Sequence, residues 1–112
     1  MATKAARVSA DQVFKSLADP TRLALLERLL RDGELSVVAL TAHTSVSQPA
    51  VSKHLAVLKR AGLVRDRRDG RETRYRARPE GLAPVIDWMQ HYATFWGDRF
   101  DRLEDLLRRM DP

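Results

Sequence analysis

The side chains best suited to specific chemistry lie between residues 47 and 59, and a run of arginines follows them. Gln48, Ser52 and Lys53, with Pro49 and Ala56 beside them, stand off the apolar spacing Val51, Leu55, Leu58. On a helix they share a face turned away from the core. Glutamine can pair with adenine through two hydrogen bonds, lysine can donate to guanine, and serine can bond a base or a phosphate. Pro49 and Ala56 leave room for close approach or touch a thymine methyl. His54 and Lys59 fall nearer the edge of that face and suit phosphate oxygens. Residues 65–78 then carry seven arginines (65, 67, 68, 71, 74, 76, 78) against Asp66, Asp69 and Glu72, a net of +4 where the whole chain has +5. Concentrated positive charge suits a polyanion, nucleic acid first. Double-stranded DNA is the expected partner, with Arg67, Arg68, Arg71 and Arg74 as its phosphate contacts.

The rest of the chain offers little reactive chemistry. It has no cysteine, which excludes disulfides, thiolate metal sites and thiol redox sensing. No nucleophile elbow, phosphate loop or metal-ligand cluster is visible, so neither an enzyme nor a cofactor is expected. Asp87 and His91, four residues apart, could share a metal with ligands from a second copy. The same spacing gives an ordinary helix-surface hydrogen bond, and no metal site is assigned. Trp88, Tyr92, Phe95 and Trp96 could line a small-molecule pocket, but aromatic enrichment fits packing between subunits better.

With 112 residues the chain suits one domain, 1–112. No run reaches the roughly 18 apolar residues of a membrane span, and residues 1–7 have no apolar block that would make them a secretory signal. A cytoplasmic, membrane-free protein is expected.

The elements that must position these residues follow from caps and periodicity. Ser9 can cap a first helix bearing Val13, Phe14 and Leu17, with Gln12 as its reciprocal partner. Asp19-Pro20 opens a second, whose buried face is read as Leu23, Leu26, Leu29 and Leu30, with Gly33 beyond its end. Ser36 caps a short third helix holding Val37, Val38 and Leu40. After the turn Thr44–Ser47, Ser47 caps the fourth, and Gly62 closes it. Residues 63–68 and 72–78 read as strands, joined at Asp69-Gly70 in a two-residue turn. A hairpin so short and charged must lean on the helices, as a wing does. A final helix is expected from about 82 to 110, with the stripe Leu82, Val85, Met89, Tyr92, Trp96, Phe100, Leu103, Leu107, Met110. Its roughly 28 residues would extend about 42 Å. So short a chain cannot cover that stripe itself, so a second copy is expected to do so. Residues 98–112 carry four arginines against five carboxylates, a net of −1 that reads as a solvated helix face. The fold class is mainly α (α+β): a winged helix-turn-helix of five helices with a two-stranded wing, in the order ααααββα.

The sequence resembles the ArsR (ArsR/SmtB) family of bacterial winged-helix repressors from about Val13 to Met110. The resemblance rests on Leu17-Ala18-Asp19-Pro20-Thr21-Arg22-Leu23, Gly33-Glu34-Leu35, the run from Ser47 to Val64 with Ser47-Gln48-Pro49-Ala50-Val51-Ser52-Lys53-His54-Leu55 at its head, and Arg68-Asp69-Gly70-Arg71 followed by Tyr75. It implies a homodimeric repressor released from its operator by a signal. Residues matching Gln48, Ser52 and His54 would lie in or beside the DNA-reading segment. The first and last helices would form the dimer, through Val13, Leu17, Met89, Tyr92, Trp96, Phe100, Leu103 and Leu107. The family's sensor cysteines have no counterpart, since Ser36 and Val38 stand in that helix, so arsenic, antimony or cadmium sensing there is not expected. The last-helix metal site uses Asp and His two apart; Asp87 and His91 are four apart, with no later histidine. The inducer is unknown. A zinc-type repressor using the last helix and a protein-binding winged helix are the alternatives, and the basic wing argues against the second. Arg22 reads as an ion-pairing or structural residue, His43 as a surface one.

Overall fold

A computed structural model describes residues 8–110. Residues 1–7, and the Asp111 counted in the terminal charge balance, lie outside the described residues. Four helices begin where the sequence supplies a side-chain acceptor. Ser9 Oγ accepts from the Gln12 amide at 3.2 Å and starts α1 (Ala10–Leu17). Asp19 accepts from Thr21 and Arg22 at 2.8 and 3.1 Å and starts α2 (Pro20–Asp32). Ser36 accepts from Ala39 at 3.1 Å and starts α3 (Val37–Ala42). Ser47 accepts from Ala50 at 3.3 Å and starts α4 (Gln48–Arg60). Each such cap contributes about 1 kcal/mol. Gln12 does not reciprocate toward Ser9; its side-chain amide donates to the Arg60 carbonyl at 3.3 Å and ties α1 to the end of α4.

The core gathers one face of each helix. Val51, Leu55 and Leu58 of α4 are fully buried, with Val13 of α1, Leu40 of α3 and Leu63. On α2 the buried residues are Leu25, Leu26 and Leu29. Leu23 and Leu30, assigned to that face from sequence, are 40% and 47% exposed. They lie seven residues apart on one line of the helix, and the core meets the neighbouring line through Leu25 and Leu29.

The hairpin has β2 (Val64–Asp69) and β3 (Glu72–Ala77). Asp69 pairs with Glu72, so the turn is Gly70-Arg71 and not Asp69-Gly70. Only Gly70 has positive φ there (+64°), as a turn with glycine at its first central position requires. The sheet has a third strand that the sequence did not announce: β1 (Leu35–Ser36) pairs antiparallel with β3, Leu35 opposite Tyr75 and Ser36 opposite Arg74, giving the order β1-β3-β2. Two residues are too few to show alternation. After the wing, a 3-10 turn (Pro79–Leu82) lies so close to the end of α4 that a Cβ on Gly81 would collide with the Gly62 carbonyl.

The final helix is divided into α5 (Ala83–His91) and α6 (Ala93–Met110). The Tyr92 amide bonds back to Met89 rather than one residue further, which tightens and ends α5. No glycine or proline stands there. Instead Tyr92 packs against both Trp88 (ring centroids 5.0 Å apart) and His91 (4.8 Å), so bulky rings crowd the joint. No helix among the described residues is long and apolar enough to cross a membrane.

Candidate nucleic-acid interface

With its core line buried, α4 presents Gln48, Pro49, Ser52 and Lys53 to solvent, just behind the Ser47 cap. Gln48 and Ser52 share one cleft with Arg71 and Thr73 of the wing and Val38 of α3. The fold thus brings two of the base-reading candidates together with the tip of the wing. Val38 adds an apolar side chain, 60% exposed, that sequence had placed with the third helix and not with this face.

The two edge residues of α4 are both engaged within the chain. Lys59 Nζ lies 3.0 Å from Asp66 of β2, and that hydrogen bond holds the Lys59 ammonium above its ordinary range. His54, half-buried on the opposite flank, has its Nδ1 3.4 Å from Arg22 Nη1. Successive residues advance about 100° around a helix, so His54 falls well away from Gln48, and the exposed strip runs between the two flanks. One flank is fastened to the wing and the other to α2.

Strand alternation divides the wing arginines. Val64, Asp66 and Arg68 of β2 stand opposite Ala77, Tyr75 and Thr73 on one face; Arg65, Arg67 and Asp69 stand opposite Arg76, Arg74 and Glu72 on the other. On that second face Arg67 makes a two-pronged ion pair with Glu34, Nε to Oε2 at 2.9 Å and Nη2 to Oε1 at 2.7 Å. The Arg67 hydrogen bond holds the Glu34 carboxyl below its ordinary range, and Glu34 in turn raises Arg67. Arg74 is held by Asp69 and Glu72, both at 3.1 Å. Two of the four expected phosphate contacts are therefore already matched by carboxylates. Among the described residues Arg68 has only the Thr73 hydroxyl at 3.4 Å, and Arg71, at the turn, has no partner. Arg78 leaves the cluster altogether, donating to the Gly62 carbonyl at 2.7 Å. Arg65 and Arg76 face each other directly, both exposed and without a carboxylate partner among the described residues. Like charges opposed across strands are unfavourable in isolation. Once the register is known, the period of two marks them as cations left open, a signal the sequence reading did not use.

The remaining candidates lie on another side. Phe14, Val85, Trp88, Met89, Trp96 and Phe100 line an open, almost wholly apolar groove. Phe14 meets Trp88 edge-on at 5.7 Å, and Phe95 meets Trp96 at 5.3 Å. Tyr92, Leu103 and Leu107 are exposed, and α6 buries none of its residues. Of the expected contact residues of α1, one is placed otherwise. Val13 is fully buried in the core and cannot meet a second chain, and Leu17 is half-buried against that core. Phe14 is the α1 side chain on the groove. Asp87 lines a different cleft with Arg78 and Glu80, while His91 packs on Tyr92. Among the described residues no three His, Asp or Glu side chains converge as a metal site would require.

Comparison with known proteins gives a consistent set of relatives. Residues 19–66 match the family described as "Bacterial regulatory protein, arsR family". The chain is 49% identical over 86 residues to the HTH-type transcriptional regulator Rv2034 of Mycobacterium tuberculosis, covering 77% of this chain and 79% of that one. It is 48% identical over 68 residues to the arsenic resistance transcriptional regulator ArsR1 of Pseudomonas putida, a match that takes in 61% of this chain and 53% of the regulator. Among solved structures, a possible transcriptional regulator for arsenical resistance superposes with a TM-score of 0.67 at 43% identity, covering 85% of this chain and 94% of the other.

Proposed function

The chain belongs to the ArsR family of bacterial regulatory proteins and is a DNA-binding transcription regulator, and from that premise we propose that it is a repressor that grips an inverted-repeat operator as a homodimer. The observation that carries this reading is the single cleft shared by Gln48 and Ser52 of α4 and Arg71 of the wing. One helix face able to read bases is thereby joined to a cation able to hold the backbone. In the proposed complex Ser47, Gln48, Pro49, Ser52 and Lys53 enter the major groove. Arg68 and Arg71 meet phosphates directly, while Arg67 and Arg74 stay paired with their carboxylates and would reach phosphates only on losing those partners. The exposed stripe of α5 and α6, with Phe14, packs on a second copy about a twofold axis. That spacing sets two reading helices about 34 Å apart, one helical turn of DNA. The whole chain acts as one unit in the bacterial cytoplasm, and without a cysteine it has no thiolate with which to bind a metal.

Selection of bound duplexes from a random pool, followed by a salt titration on the best of them, tests this. The expected result is an inverted repeat, with log affinity falling against log salt by about 0.9 per phosphate contact. Sedimentation at micromolar concentration should give a dimer. A monomer with no preference among duplexes would end the reading.

A further inference from the structure

Arg22 is half-buried at the start of α2, and its guanidinium reaches two other helices. Its Nε donates to the Ser16 carbonyl at 2.6 Å and its Nη2 to the Lys15 carbonyl at 3.4 Å. Both belong to the last turn of α1, where carbonyls lack the regular i+4 partner; the Lys15 carbonyl also accepts from the Ala18 cap amide at 3.3 Å. Its Nη1 reaches His54 of α4 at 3.4 Å, across 32 residues of sequence. The Arg22 amide is itself capped by Asp19, whose carboxylate is held low mainly by that bond. An arginine side chain has donors only and keeps its charge. The ring nitrogen facing it must accept, so Nδ1 of His54 is bare and the ring proton sits on Nε2.

We propose that Arg22 is a positioning residue for operator binding: it locks His54 as the neutral Nε2–H form and thereby fixes the reading helix to the end of α1, the helix that carries Phe14 into the proposed subunit contact. This rests on the DNA-binding reading and adds a physical route between its two surfaces. One flank of α4 is fastened by Lys59 to the wing, and this strut fastens the other. The ring is held by its Nδ1 side, which leaves Nε2–H as a directed donor of fixed position.

The test combines imidazole nitrogen NMR with affinity for the selected duplex in wild type and four variants. In wild type, His54 should show a bare Nδ1 and a protonated Nε2 at pH 7.5. Arg22→Lys replaces the fork with one compact ammonium that cannot satisfy three acceptors at once. It should release the tautomer preference and weaken operator binding about tenfold, with the dimer unchanged. His54→Gln keeps an acceptor for Arg22 and should lose clearly less operator affinity than His54→Leu, which should lose as much as Arg22→Lys. The double variant Arg22→Lys/His54→Leu should be no worse than either single change, because partners in one contact are not additive. His54→Gln and His54→Leu change a half-buried flank residue outside the core line of α4, so they test the strut even if Arg22→Lys folds poorly. Additive losses in the double variant, or a proton on Nδ1, would overturn the strut while operator binding stands. Wild type that prefers no duplex would instead remove the reading beneath it.

Discussion

α4 and α6 carry the same kind of message in sequence, an apolar line at helical spacing with charges between. Val51, Leu55 and Leu58 of α4 are fully buried by the chain's own core. Trp96, Phe100, Leu103 and Leu107 of α6 are all about half exposed or more. Periodicity therefore says that a face will be covered, not what covers it. In this protein the answer divides the molecule into a body that closes its own core and an exposed apolar face, which the proposed second copy would cover.

The largest effects should come from changing one residue on each line. Leu55→Ala opens a cavity in a closed core and should cost 2–5 kcal/mol of stability, read as a large drop in melting temperature. Phe100→Glu should leave α4 and the wing folded by circular dichroism, yet turn the dimer into monomers in sedimentation. Operator affinity should then fall at least a hundredfold, because each half-site is gripped alone. If Phe100→Glu unfolds the chain as Leu55→Ala does, the division between the two lines is wrong.

Within the reading face the expected effects are smaller and more selective. Gln48→Ala removes the donor–acceptor pair proposed to read a base and should cost about 1–3 kcal/mol at one operator position only. Arg71→Ala should weaken binding to all duplexes alike and flatten the salt slope by about 0.9. Repeating the duplex selection with each variant separates them. A uniform loss for Gln48→Ala, or a change of base preference for Arg71→Ala, would reverse their roles.

Much of this was legible because it is local. Ser9, Asp19, Ser36 and Ser47 cap the helices they precede, and the α4 core line needs only its own spacing. What escaped depends on register and on distant partners. The turn moved by one residue because pairing Asp69 with Glu72 is decided by the whole ladder. β1 has two residues and exists only because Tyr75 and Arg74 lie beside it. Val13 and Phe14 are adjacent apolar residues, and only the packing of α1 decides that the first enters the core and the second meets Trp88. Glu34 lies 33 residues from Arg67, and no local pattern joins them.

That last pair repeats the contrast between α4 and α6 in charge rather than in apolar surface. Arg67 is matched within the chain by Glu34, whereas Arg71 at the turn has no partner among the described residues. Glu34→Gln should free Arg67 for a phosphate and steepen the salt slope by about 0.9, the opposite of Arg71→Ala. Stability at neutral pH should change little, since Arg67 is 55% exposed and water reaches the pair from its side. The pair has a pH signature as well. Glu34 titrates below its ordinary value near 4.5, so its contribution is complete above that pH and disappears as acid protonates the folded carboxyl. The salt slopes of wild type and Glu34→Gln should therefore differ at pH 7, where wild-type Arg67 is held. Equal slopes there would mean that DNA already displaces Glu34, and that the ion pair belongs to the free protein alone.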